Sequence, residues 1–324
     1  MFPKALTRVN DHLRLCIGLV VIALLSPCAR AQQANEILSG AALKEQIESQ
    51  RSLIELAAKH QLSNERLGYL WAELAVMYRH EGDFSKSENA YVKALDLQRD
   101  VPSAQKNYAT TLDNFGTLYL VYGRLNEAER YNRMGAKVRS KMGYRLDLAR
   151  SDEHLAEIDL AKHRFKQADA EAESALKVMR AENDPEVVDL IASLNALAFT
   201  RCLLGRCADG LASAKESMML AQQRYGDESP VTAHALMAVG FASWKSGKID
   251  EAEPAMRKAV EVLQAQQQQE DRGLLLALVE YRNYLREMQR TGDADTVDGE
   301  LTTAMTQMRK GCAGCINVRS LAAK

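Results

Sequence analysis

The chain has 324 residues, 47% of them hydrophobic and 26% charged, with a formal net charge of -1. Such a composition excludes a disordered chain and a multi-span membrane protein, and the neutral balance offers no concentrated basic surface for nucleic acid. Glycine (18) and proline (6) are too scarce to punctuate a β-sandwich, so the length points to an extended helical array as readily as to two or three domains.

The N-terminus reads as a secretory signal covering 1–31. Lys4, Arg8 and Arg14 precede an apolar run from Leu15 to Leu25, and Ala29-Arg30-Ala31 supplies a small-x-small cleavage pattern. Eleven apolar residues fall short of the roughly 20 that span a bilayer, so membrane association is expected only if this signal stays uncleaved. A lipidated Cys28 is disfavoured by Pro27 before it. Cleavage leaves 293 residues and a net charge of about -4, consistent with an exported, periplasmic or secreted protein. Residues 32–66, with Ile37, Leu43, Ile47, Leu53, Ile54 and Leu56, read as one or two helices that cap the region beginning at 67.

From 67 to 308 the sequence repeats itself. Six turn segments start helices: Glu81-Gly82-Asp83-Phe84, Tyr122-Gly123-Arg124-Leu125, Lys162-His163-Arg164-Phe165, Leu204-Gly205-Arg206-Cys207, Ser246-Gly247-Lys248-Ile249 and Thr291-Gly292-Asp293-Ala294. Aligned on the glycine or its substitute, they step by 41, 40, 42, 42 and 45 residues. Helical apolar periods lie on both sides, as in Trp71, Leu74, Ala75 and Tyr78 before a turn and Ala252, Ala255 and Ala259 after one. Each unit is therefore a hairpin of a helix A and a helix B. Small residues at Ala75, Gly116, Ala156, Ala198 and Gly240 let helix A approach its neighbour closely, and stacking joins the hairpins into one core. Pro102, Pro185 and Pro230 fall between units, and Pro254 is expected in the first turn of a helix B, where its missing N–H is harmless.

Trp71-x-x-Leu74-Ala75-x-x-Tyr78, Gly82-Asp83-Phe84, Ala90-Tyr91 and Ala94-Leu95 resemble the tetratricopeptide repeat. The step near 42 and the stretches Leu112-Asp113-Asn114-Phe115-Gly116, Leu194-Asn195-Ala196-Leu197-Ala198 and Tyr281-Arg282-Asn283-Tyr284-Leu285 look like its kinesin-light-chain subtype. The resemblance implies an all-α, right-handed solenoid of antiparallel hairpins that binds a protein or an extended peptide in a concave groove lined by A helices. Carried over by position, the groove takes Asp113, Asn114, Thr117, Glu153, His154 and Glu157 from the second and third repeats. The fourth and fifth give Asn195, Phe199, Met237, Phe241 and Trp244, and the sixth gives Arg282, Asn283, Arg286 and Arg290. The competing assignment packs Phe199, Phe241 and Trp244 between repeats and leaves the arginines as a solvated stripe.

No dinucleotide, phosphate-loop, zincin or nucleophile-elbow motif occurs, so no catalytic residue, metal or small-molecule cofactor is expected. Four cysteines come after the signal, and local pairing would join Cys202 to Cys207 across a turn and Cys312 to Cys315 in the tail 309–324. A C-x-x-C pair in an exported chain is also a possible redox centre, which makes a thiol-disulfide protein the alternative to a non-catalytic scaffold; a structural arm of a membrane-anchored assembly is the third reading.

Overall fold

A computed structural model describes residues 40–182, 186–265 and 272–311, with side chains over 42–182, 186–265 and 273–306. Among these residues every regular element is helical. Helix α1 (Gly40–Lys59) is followed by six pairs: α2 (Asn64–Glu81) with α3 (Phe84–Gln98), α4 (Gln105–Val121) with α5 (Leu125–Met142), α6 (Arg145–Ala161) with α7 (Phe165–Arg180), α8 (Val187–Leu203) with α9 (Cys207–Tyr225), α10 (Pro230–Lys245) with α11 (Ile249–Ala265), and α12 (Arg272–Glu287) with α13 (Thr291–Gly311). The signal segment 1–31, Pro185 and the tail cysteines Cys312 and Cys315 lie outside the described residues. No described helix is long and apolar enough to cross a membrane.

One turn design closes all six pairs. Gly82, Gly123, His163, Gly205, Gly247 and Gln289 adopt positive φ, between 58° and 82°. The amide after each reaches back five residues: Asp83 to Tyr78 O, Arg124 to Tyr119 O, Arg164 to Asp159 O, Arg206 to Arg201 O, Lys248 to Ser243 O and Arg290 to Leu285 O, at 2.7 to 2.9 Å. This is the Schellman closure, which satisfies carbonyls that a helix end would otherwise leave open.

The sixth turn corrects the sequence expectation. Gly292 is not the turn residue; it lies in the first turn of α13, and Gln289 takes the left-handed conformation. The steps thereby become 41, 40, 42, 42 and 42. Glutamine tolerates this φ at a cost of roughly 1 to 2 kcal/mol relative to a right-handed conformation, so nothing in the residue type signals the turn.

Counted from these turn residues, the fifth residue onward is always small: Ser87, Ala128, Ala168, Gly210, Ala252 and Ala294, all buried. Seven residues back stand Ala75, Gly116, Ala156, Ala198 and Gly240, and then Arg282. The two small positions meet within a hairpin: Ser87 Oγ donates to Ala75 O at 2.7 Å, and a Cβ on Gly240 would come within 3.1 Å of Ala252 O. In the last hairpin Arg282 replaces close approach by an ion pair, its Nη1 lying 3.1 Å from Asp298 Oδ1 on α13.

Two further expectations shift. Pro254 is the sixth residue of α11, in its second turn, where it removes the amide that would bond Asp250 O. In α1, Ile47, Ile54 and Ala57 are buried and Gln50 Nε2 donates to Leu70 O at 3.0 Å, whereas Leu53 and Leu56 face solvent.

The chain divides into two compact units, with described residues 40–154 in one and 155–308 in the other. The N-terminal unit packs around Leu74, Ala94, Leu112 and a ring cluster in which Tyr91 meets Phe115 at 5.2 Å and Phe115 meets Tyr131 at 4.5 Å. In the C-terminal unit one continuous core runs from Ala156 and Leu160 to Val297 and Leu301.

Candidate functional site

The A helices carry many polar groups where packing alone would favour apolar ones. In the N-terminal unit, Asp113 of α4 is buried and its Oδ2 pairs with Arg139 Nη1 of α5. The same Arg139 nitrogen donates to Ser151 Oγ of α6 at 2.8 Å, and His154 Nδ1 stands 3.7 Å from Asp113 Oδ2. His154 Nε2 lies 3.8 Å from Glu153 Oε2 on its own helix. Asp113, Glu153 and His154 are thus buried close to one another, Thr117 is also buried, and Asn114 is half-buried.

In the C-terminal unit Glu157 is fully buried. Asn195 is buried too, and its Oδ1 accepts from Ser217 Oγ at 2.7 Å, so the amide oxygen ties α8 to α9. Met237 is inaccessible. Phe199, Phe241, Trp244 and Tyr284 form a buried row with centroids 4.8, 6.1 and 5.8 Å apart. These aromatic side chains are inter-repeat packing, the competing assignment of the sequence; Phe199, Phe241 and Tyr284 present no surface to a partner, and the Trp244 ring is covered by Lys245.

The three-residue slip in the sixth hairpin displaced the remaining assignments. Arg282, expected to line the groove, occupies the small-residue position and is buried against Asp298. Arg290 comes directly after the turn residue and binds Glu253 and Asp293 at 2.6 and 2.7 Å. Arg286 is exposed and pairs with Asp298 at 2.6 Å, while Asn283 is half-buried and accepts from Arg282 Nη2 at 3.3 Å. In the true register the residue equivalent to Asn114 and His154 is Glu280, nine before its turn residue, and the alignment on Gly292 passed over it.

Glu280 is 1% exposed, neither of its carboxylate oxygens has a hydrogen-bond partner, and burial pushes its pKa up to about 7. His234 of α10 is buried with Nε2 unpartnered, and desolvation takes it down to about 4. Nearby, Trp244 Nε1 donates to Glu287 Oε1 at 3.1 Å, and Lys245 Nζ sits 3.2 Å over the Trp244 ring and 3.3 Å from Glu287 Oε2.

The Cys202–Cys207 bridge is not formed. Both are free thiols, each directed at the other's backbone carbonyl, with Cys202 Sγ 3.9 Å from Cys207 O and Cys207 Sγ 3.6 Å from Cys202 O. Burial pushes the Cys202 thiol well up, which keeps it protonated and unreactive. Among the described residues no three His, Cys, Asp or Glu side chains converge as metal ligands.

Helical hairpins stacked at a constant step, closed by one turn and joined through paired small residues, define an α-solenoid. A family profile described as tetratricopeptide repeat matches residues 67–141 and 189–265, and the chain is a tetratricopeptide-repeat protein. No curated protein matches the sequence. Among solved structures the chain resembles BtubC (BKLC) from P. vanneervenii, at 20% identity and a TM-score of 0.58 over 69% of this chain and 92% of that one. The apo form of RapI matches at 11% identity and 0.71, covering 89% and 99% of the two chains. A Rap protein complexed with competence and sporulation factor matches at 13% and 0.56, covering 93% and 99%. At such identities the likeness is one of fold.

Proposed function

We propose that this chain is a non-catalytic interaction scaffold that holds a polypeptide partner against the face of its A helices. The observation carrying this reading is the set of charged and amide side chains kept buried on those helices, among them Asp113, Glu153, His154, Glu157, Asn195 and Glu280. Buried polar and ionic groups are weak contributors to stability, and apolar replacements of equal volume often stabilise, so their accumulation on the A helices of the second to sixth hairpins favours a recognition role. The similar Rap protein in complex with a named factor supports the same reading by analogy of fold.

The site of action is inferred from the N-terminal pattern: Lys4, Arg8 and Arg14, an apolar run and Ala29-Arg30-Ala31 favour export to the cell envelope, where an extended peptide or a partner protein would be met. Sequencing the N-terminus of the mature protein checks it; a start near Gln32 is expected, and retention of Met1 in the envelope fraction overturns cleavage.

The binding reading is tested with photo-crosslinking residues at Asn114 and Asn283, half-buried on A helices, against Lys177 and Lys215, exposed on B helices. Crosslinks to the same partner from the first pair and not the second are expected. Equal labelling from all four sites overturns the A-helix face as the binding surface.

A further inference from the structure

Glu280 belongs to α12, which packs against α10 and α11. The charged groups that bear on it are Arg282 of its own helix and Lys245 of α10, and the cations of this hairpin are already engaged. Arg282 and Arg286 bind Asp298 of α13, and Arg290 and Arg257 bind Glu253 of α11. Lys245 of α10 bears on Glu280 electrostatically, yet its ammonium is held by Glu287 and the Trp244 ring. The carboxyl of Glu280 is left buried with both oxygens open. An unpaired carboxylate in such surroundings is unfavourable, and the balance is restored only by a proton or by a cation brought to it.

Lys245 shows which cation the surroundings accept: an ammonium on an indole face, bonded to a carboxylate. Lys245 is about one-fifth exposed and Glu287 about half, so this end of α12 reaches solvent while Glu280 does not. We propose that Glu280 is the inner end of a cation seat, completed by Glu287 and the Trp244 ring, that takes a basic side chain of the polypeptide partner in place of Lys245. This rests on the interaction reading above and names the chemistry of its ligand at the sixth hairpin.

The test uses n-butylammonium and methylguanidinium as probes and n-butanol as the uncharged control, at fixed ionic strength and pH 7. Carbon-13 NMR of labelled glutamate carboxyls follows Glu280, whose resonance is assigned by its loss in Glu280→Gln. Glutamine matches the protonated acid in shape, and melting of the variant confirms the fold. Expected is a saturable movement of the Glu280 signal toward the ionised value with either cation and none with butanol. Probe affinity should rise about fivefold in Lys245→Met, which removes the internal competitor, and fall about fivefold in Glu287→Gln. No saturable response, an equal response to butanol, or affinity unchanged in both variants overturns the seat. If the seat fails while crosslinks from Asn114 and Asn283 persist, the interaction reading stands; if the probes bind and those crosslinks are absent, the cation seat stands and the interaction reading falls, together with the partner assigned to the seat.

Discussion

Arg139 and Asp113 form a deeply enclosed ion pair of the N-terminal unit, with side chains 7% and 4% exposed. Removing one member leaves the other charge buried, so Arg139→Leu is expected to destabilise by about 3 to 5 kcal/mol. The double replacement Asp113→Leu with Arg139→Leu should recover most of that loss, which urea denaturation of the two variants checks. A double variant as unstable as the single one would show that Ser151 and His154 already compensate the Asp113 carboxylate once the arginine is gone.

At the same scale, Gln289 and Gly292 separate the two registers of the sixth hairpin. Gln289→Gly relieves a left-handed side chain and should raise stability by roughly 0.5 to 1 kcal/mol. Gly292→Ala places a methyl in a helical turn with nothing within 4 Å of it and should be neutral or slightly stabilising. Had Gly292 been the turn residue, the alanine would have cost stability, so melting temperatures of the two variants decide the register. This is also where the sequence misled: a glutamine at positive φ carries no signal, and a glycine three residues on supplied a false one. The misplacement of Arg282 and Arg290 and the oversight of Glu280 all stem from that single slip.

Elements were far more legible than residues. Every hairpin between 64 and 311 can be read from apolar periods of helical spacing interrupted at a constant step, because stacked hairpins need the same small residues at the same places. Burial was not legible. Periodicity says which side chains share a face, but not whether that face is covered, and so Phe199, Phe241 and Met237 read as lining a groove when they fill the core. The free thiols of Cys202 and Cys207 were equally invisible, since five residues of spacing permits a bridge without aligning the sulfurs. Pro102 stands between hairpins as expected, Pro230 is instead the first residue of α10, and Pro254 falls one turn later than expected in α11. There Pro254→Ala restores the bond to Asp250 O and should stabilise by roughly 1 to 3 kcal/mol, less whatever the proline contributes by stiffening the unfolded chain. A melting temperature unchanged by the substitution would mean that α11 already accommodates the missing amide.

Over the whole molecule, pH acts on stability through opposed groups. His234, depressed to about 4, binds its proton more weakly when folded, so its contribution is present above about 6.5 and is lost as pH falls toward 4. Glu280, raised to about 7, binds its proton more tightly when folded; its contribution is present below about 4.5 and is lost as pH rises toward 7. Between about 4.5 and 6.5 the two slopes oppose each other. Glu280→Gln removes one of them, so the stability of this variant relative to the unsubstituted protein should increase steadily from pH 4.5 to 7, which thermal melts across that range measure. A difference independent of pH would show that Glu280 titrates alike in the folded and unfolded states.

The ion pair between Arg282 and Asp298 also bears on how such an array can lengthen or shorten by recombination. Excising 206–247 would join α8 to α11 as a new hairpin in which Ala198 meets Ala252, the same small-on-small contact that existed before. An equivalent excision one step later, over 248–289, would join Gly240 to Ala294 and leave Asp298 facing a glycine where its arginine had been. Internal hairpins of the C-terminal unit are therefore exchangeable parts, whereas α12 and α13 must be inherited together.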